Sequence, residues 1–341
     1  MRIGIIDFDS TQVNLACMKI SAYYKRMGCD VVLNPTSASQ ADHVFCSVVF
    51  SWNKEQALKL ASVFPSIEFG GTGVDIHKKL PADIERMRPD YDLYSADMIA
   101  RRLRGIMTSD RRREKAEVIV NAGVGRTSTG CSRSCSFCIV PSSEGKLKSV
   151  GSLAELVNPK SKVITLLDNN LTADPDCLEK LKQAKEMGFT LDITQGIDSR
   201  IIAKRPDIAK ALSEVKHLRS IHTAWDLMES ESLVSEGIRV LSRFIAKSRQ
   251  LVFMLTGFNT TFEENMYRFR RLLEMGVDPY AMRFRGGDGC GDEYDKLQNM
   301  HFSRWVNGRL YKKCNFGEYT NWLVAEKKYF DSLAQPLLLA A

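Results

Sequence analysis

Short apolar runs recur along this chain, too uniformly hydrophobic to leave one face wet, and stretches of helical periodicity separate them. At the front, Arg2 to Ile6, Asp30 to Leu33, His43 to Phe50 and Ser66 to Phe69 read as strands. Between the first two, residues 11–27 place Val13, Cys17, Ile20 and Tyr24 on one face at three- and four-residue spacing, and Gly28 is suited to end that helix. Glu55 to Ala61 predicts a second helix. Strands without a polar face, alternating with helices, call for an α/β fold in which a small parallel sheet is covered on both sides.

The pattern weakens between residues 74 and 115. Pro81, Pro89 and the basic runs Arg101-Arg102-Leu103-Arg104 and Arg111-Arg112-Arg113 predict a connector over the surface. From Glu117 to about 285 the cadence returns, with strands expected at 117–121, 162–167, 189–194, 218–223, 250–256 and 279–284. The helix after Thr261 has the clearest local signals. Thr261 and Glu264 make a capping box, Met266, Phe269, Leu272 and Leu273 a buried stripe, and Gly276 the stop. Six parallel strands with right-handed crossovers curl into an open or partial barrel. A helix near Tyr319 to Phe330 would cap it. The domains expected are 1–108, 109–288 and a helical extension over 289–341.

At 341 residues and 44% hydrophobic, the chain has enough material for two cores. No uncharged apolar run is long enough to span a bilayer, and Asp7 and Asp9 interrupt the first apolar stretch. The expectation is therefore a cytoplasmic protein with no membrane partner. The excess of 48 Lys and Arg over 41 Asp and Glu leans toward acidic or nucleic-acid partners. Nine cysteines in a chain of this size argue against a disulfide scaffold.

Three of those cysteines carry the chemistry. Cys131, Cys135 and Cys138, in Gly130-CSRSCSFCIVPSSEG, have the spacing C-x3-C-x2-C. Thiolates are soft ligands for iron–sulfur clusters or zinc. Three in one loop hold three corners of a 4Fe–4S cube and leave one iron open, whereas a closed zinc site wants a fourth ligand. His43, His77, His217, His222 and His301 are all distant in sequence. A zinc knuckle completed from afar, or three plain buried thiols, is the competing reading.

This triplet after the first strand of a β/α barrel, with Phe137 just before the third cysteine, resembles the radical S-adenosylmethionine (radical SAM) superfamily over about residues 115–285. The resemblance implies a partial (β/α)6 barrel behind an N-terminal Rossmann-like domain. It also implies that Cys131, Cys135 and Cys138 hold a 4Fe–4S cluster, with Phe137 beside the adenine of S-adenosyl-L-methionine. Reductive cleavage of that cofactor would give a 5′-deoxyadenosyl radical for C–H activation. The electron would come from a reductant such as flavodoxin or ferredoxin, and the substrate would be a small molecule, a peptide or a nucleic acid.

Strand ends supply the other candidates. Asp168, Asn169 and Asn170 follow the second barrel strand where the family has a Gly-Gly-Glu-like motif; they either receive the cofactor ammonium or cap the next helix. Gln195, Asp198 and Arg200 follow the third strand. They are candidates for the ribose and carboxylate, with Asp198 as a helix start and Arg200 as a solvated side chain the alternatives. His222 and Asp226 follow the fourth strand; one or the other is expected near substrate, with a structural hydrogen-bonding role the alternative for His222. Gly257 in Thr256-Gly257-Phe258-Asn259 permits close approach to the backbone. Arg283 and Arg285 share one face of the sixth strand: substrate or carboxylate clamps if that face is the lumen, solvated side chains if it faces outward. Cys290 and Cys314 are late cysteines, but two thiols are too few for an auxiliary cluster without other ligands, so one cluster is expected.

The front unit, placed before such a barrel, resembles the cobalamin-binding domain of methyl-transferring relatives. Asp7-Phe8-Asp9-Ser10-Thr11 stands where that family has Asp-x-His-x-x-Gly, without the histidine. Cobalamin binding without a protein ligand to cobalt, as in a cobalamin-dependent methyltransferase, stays open here. Gly70-Gly71-Thr72-Gly73 is a cofactor-approach loop or a tight turn. Cys135-Ser-Phe-Cys138-Ile-Val-Pro141 with Glu144-Gly145 also resembles the cluster loop of tRNA methylthiotransferases. The basic runs keep tRNA or DNA modification in view, and a metal-stabilised scaffold is the non-enzymatic alternative.

Overall fold

The computed structural model describes residues 1–286 and 291–334. The protein is mixed α/β with parallel sheets. It divides into two compact units: Met1–Thr127 with Val150–Leu167 and Gly188–Leu191, and Ser128–Ser149 with Asp168–Met187 and Asp192–Ala341.

The first unit opens on β1 (Arg2–Asp7), followed by β2 (Asp30–Leu33), β3 (His43–Ser47) and β4 (Ile67–Gly70). All pair parallel, in the order β2-β1-β3-β4. Strand pleating separates two cores. Ile3 and Ile5 pack with Cys17 and Ile20 of the helix Leu15–Arg26, while Ile6, Val44 and Cys46 pack with Ala57 and Phe64 on the other face. Ile3 and Ile5 are fully buried, each contributing about 1.5–3 kcal/mol. That is why these runs have no polar face.

Two segments depart from expectation. Residues 117–121 are not a strand; they finish the helix Ser109–Asn121. Thr108 caps it through Arg111 N, and Ala116 and Ile119, one turn apart, face a core. The strand begins later, as β5 (Gly123–Gly125). The stretch 74–115 is no mere surface connector either. Tyr91, Tyr94, Ile99 and Leu103 are buried with Ala116 and Ile119, and Arg112 donates to the carbonyls of Leu103 and Gly105.

β6 (Ser128–Thr129) and β7 (Lys148–Ser149) form a short antiparallel pair in the second unit. β8 (Val163–Leu166) pairs parallel with β5 in the first. β9 (Thr190–Ile193) runs from the first unit into the second, followed by β10 (Lys216–His217). β11 (Ile221–Ala224), β12 (Gln250–Thr256) and β13 (Asp278–Arg283) make a three-stranded parallel sheet. One face, with Val252, Met254 and Ala281, packs on Val234, Ile238, Phe269, Leu272, Phe302 and Trp305 from the helices Glu231–Leu241, Phe262–Met275 and Glu293–Asn307. The Thr261–Glu264 capping box and left-handed Gly276 bound the middle helix, as the sequence predicts. The last described helix is Thr320–Ala334. Among the described residues no helix is long and apolar enough to cross a membrane.

Candidate functional site

The cysteine loop, residues 130–146, is closed into a ring by its own backbone and one acid. β6 and β7 pair around it, Cys131 bridges Lys146, and Cys131 N donates to Gly145 O at 3.3 Å. Gly130 has φ +74°, and a Cβ there would lie 2.4 Å from Lys146 O, so glycine is required. Glu144 Oε2 accepts from Gly130 N at 2.9 Å and from Asn169 Nδ2 at 2.7 Å, fastening the ring to the residues that follow β8.

Cys131, Cys135 and Cys138 are all half-buried and free of disulfides. Cys138 N donates to Cys135 O at 3.0 Å in a tight turn. Arg133 N (3.4 Å) and Asn170 Nδ2 (3.8 Å) both point at Cys131 Sγ. Burial pushes the thiols of Cys135 and Cys138 up; the other thiols and Asp226 add to this, while Arg200 opposes it at Cys135. Among the described residues no three His, Cys, Asp or Glu side chains already stand at metal-ligand spacing, these cysteines included.

Asp198 is the electrostatic pivot. It caps the short helix Ser199–Ile202 by accepting from Arg200 N, so the helix-start reading is correct. The same carboxylate also binds two guanidiniums: Arg200 Nε at 2.8 Å and Arg133 Nε at 2.9 Å. Burial alone would raise its pKa, but Arg200 and Arg133 more than offset that and hold it below the usual carboxylate range. Arg200 is thus half-buried and paired, not solvated. Arg133, between the first two cysteines, escaped the sequence reading; a cation inside a thiolate loop was the available signal.

Asp168 is buried and accepts from Ser128 Oγ at 2.6 Å, while Asp176 stands at the N-cap of the helix Cys177–Glu186. Asn170 is buried and accepts from Thr172 Oγ1. Phe137 meets Phe258 edge-on at 5.6 Å, and Phe258 meets Phe284 at 4.8 Å, so an aromatic row leads from the cysteines past Gly257, where φ is +77°. Gln195 is exposed, on a turn whose Gly196 lies against His222 O.

Asp226 is partly buried behind β11. Its Oδ1 accepts from Leu255 N at 3.2 Å, and burial pushes its carboxyl up to about 6 despite the nearby Arg268. Arg268 is fully buried, donating to the carbonyls of Trp225, Asp226 and Leu255 and to Asn265 Oδ1. Its burial lowers the guanidinium to about 10. His222 packs on Phe253 at 5.0 Å, is held toward its neutral form by burial, and lies within electrostatic reach of Asp192. Asp192 is buried beside Arg219 at 3.2 Å. Neither Arg268 nor Asp192 has a sequence signature.

The structure therefore gathers the three cysteines with Phe137, Asn169, Asn170, Asp198, Arg200 and Asp226. Arg283, at the end of β13, falls on the face that packs on the helices. It shares the face of Ala281, is exposed, and sits within electrostatic reach of Arg285 and Arg304. Cys314 is half-buried against Leu310 O; Cys290 lies outside the described residues. A cavity of about 700 Å³ is lined by Phe262, Met266, Trp305, Tyr311 and Trp322, none of them among the gathered residues. No protein-family model matches the chain, and no curated protein matches it.

Proposed function

We propose that the protein is a radical SAM enzyme, with a Rossmann-like front domain and a partial barrel, in which Cys131, Cys135 and Cys138 hold a 4Fe–4S cluster. The observation that carries this reading is the closed ring bearing three half-buried thiols beside the Asp198-bridged pair Arg133 and Arg200. Three soft donors on one loop suit a cluster with an open iron better than a four-ligand zinc site. When bound, the cluster supplies the electron that cleaves S-adenosyl-L-methionine to methionine and a 5′-deoxyadenosyl radical.

The chain's own residues do the rest. The cysteines ligate as thiolates, so the raised thiols of Cys135 and Cys138 make loading release protons and weaken at low pH. Hydrogen-bond donors near Cys131 Sγ, from Asn170 and the backbone of Arg133, would tune the potential of a bound cluster. Asn169 and Asn170 would offer amides, and Arg200 a guanidinium, to the amino-acid end of the cofactor. Phe137 covers the ring from the side of Phe258. Burial raises the Asp226 carboxyl to about 6, which would suit it to accept or return a proton at the substrate.

Anaerobic reconstitution with iron, sulfide, dithionite and S-adenosyl-L-methionine tests the reading. About four irons per chain and the formation of 5′-deoxyadenosine are expected. One bound zinc with no cleavage would overturn it in favour of a scaffold.

A further inference from the structure

In an open parallel sheet, ligands sit outside the carboxyl ends of the strands where the strand order reverses. In the front unit that point lies between β1 and β3. The helix Leu15–Arg26 leads to β2 on one side and the helix Lys54–Leu58 to β4 on the other. Cobalamin, which the domain resemblance implies, would need this edge to be open.

The polar groups there are instead committed to one another. Asp7, the last residue of β1, has a fully buried side chain. Its Oδ2 accepts from Tyr94 Oη at 2.7 Å and Arg102 Nη1 at 2.5 Å, and its Oδ1 from Asn14 Nδ2 at 3.4 Å. Asn14 also donates to Ser10 Oγ and to Ser47 Oγ at the end of β3. Arg102 closes the loop after β1 by donating to Gln12 O at 3.0 Å, and its guanidinium lies 5.3 Å from the centre of the Tyr94 ring. Asp9 accepts from Val49 N, Phe50 N and Asn53 Nδ2, tying the β1 loop to the β3 loop. The glycine loop after β4 is pressed on the same segment. A Cβ on Gly71 would lie 2.3 Å from Val48 O, and one on Gly73 would lie 2.8 Å from the Phe50 backbone. That close packing explains the glycines without a cofactor.

We infer that the front domain's ligand edge is sealed from within, the segment from Tyr94 to Arg102 acting as a built-in occupant, and that the domain takes neither cobalamin nor a nucleotide there. A carboxylate already holding a guanidinium and a phenol in a buried cluster gives them up only at high cost. The missing histidine agrees with this, but the filled space is the stronger argument. The inference does not depend on the cysteine loop.

The test is equilibrium dialysis and absorbance titration of the full chain with hydroxocobalamin, and separately with ADP, alongside thermal melts of the wild type, Arg102→Ala and Asp7→Asn. No saturable uptake of either probe by the wild type is expected, with both variants melting several degrees lower. If Arg102→Ala does not fold, that loss agrees with the latch, and Asp7→Asn, nearly isosteric, gives the graded measurement. One equivalent of cobalamin or ADP bound by the wild type, or unchanged melting of both variants, would overturn the inference.

Discussion

Two strand edges in this protein carry acids, arginines and amides in similar number and use them differently. At the front, Asp7, Arg102, Tyr94 and Asn14 satisfy one another, and Asp9 is bound by backbone amides. Around the cysteine ring, Asp198 bridges Arg133 and Arg200, yet three thiols remain half-buried and reachable, and Asp226 sits with a raised pKa. Fold placement alone does not make a site. What separates the edges is that the front cluster's groups are committed to one another, whereas the loop also carries three half-buried thiols free of disulfides.

The sharpest way to break this contrast is to exchange cysteines. Cys135→Ala should abolish iron loading and 5′-deoxyadenosine formation, while Cys46→Ala or Cys177→Ala, at buried free thiols, should leave both intact. Equal losses in all three would remove the distinction between the ring and ordinary buried cysteine. Next in size, Arg102→Ala should cost about 3 kcal/mol in chemical denaturation, because it leaves a buried carboxylate without its cation. Arg200→Ala should cost less, since Arg133 still holds Asp198.

A pH series sharpens the second edge. The Asp226 carboxyl is raised, so the folded chain holds its proton to higher pH than the unfolded chain does. Its contribution to stability is fully present below the unfolded pKa and is lost as pH rises from about 4 through 6, by roughly 1–3 kcal/mol. Asp226→Asn should flatten that slope in denaturation curves measured across the window. The smallest effect lies away from both edges: Thr261→Ala should cost about 1 kcal/mol by removing the bond to Glu264 N.

Local signals were legible in the sequence and distant pairings were not. The Thr261 capping box, the Gly276 stop and the double-sided burial of β1 are written within a few residues of one another. Residues 117–121 misled because Glu-Val-Ile-Val favours a strand on its own, whereas the cap that makes it helical lies nine residues upstream at Thr108. Asp198 was readable as a helix start, but its second partner, Arg133, comes from 65 residues away. Asp7 and Arg102 are separated by 95 positions, and a basic run gave no hint that one of its arginines would turn inward. The cysteine spacing was plain; what fastens it was not, since Glu144 acts through Gly130 and Asn169.

That fastening bears on how the loop would be filled. A ring already tied at its neck loses little chain entropy when it grips a guest, unlike zinc fingers, in which metal and fold arrive together. Stripping the metal should therefore leave a folded apo-protein, and reassembly from iron and sulfide under reducing conditions should need no renaturation step.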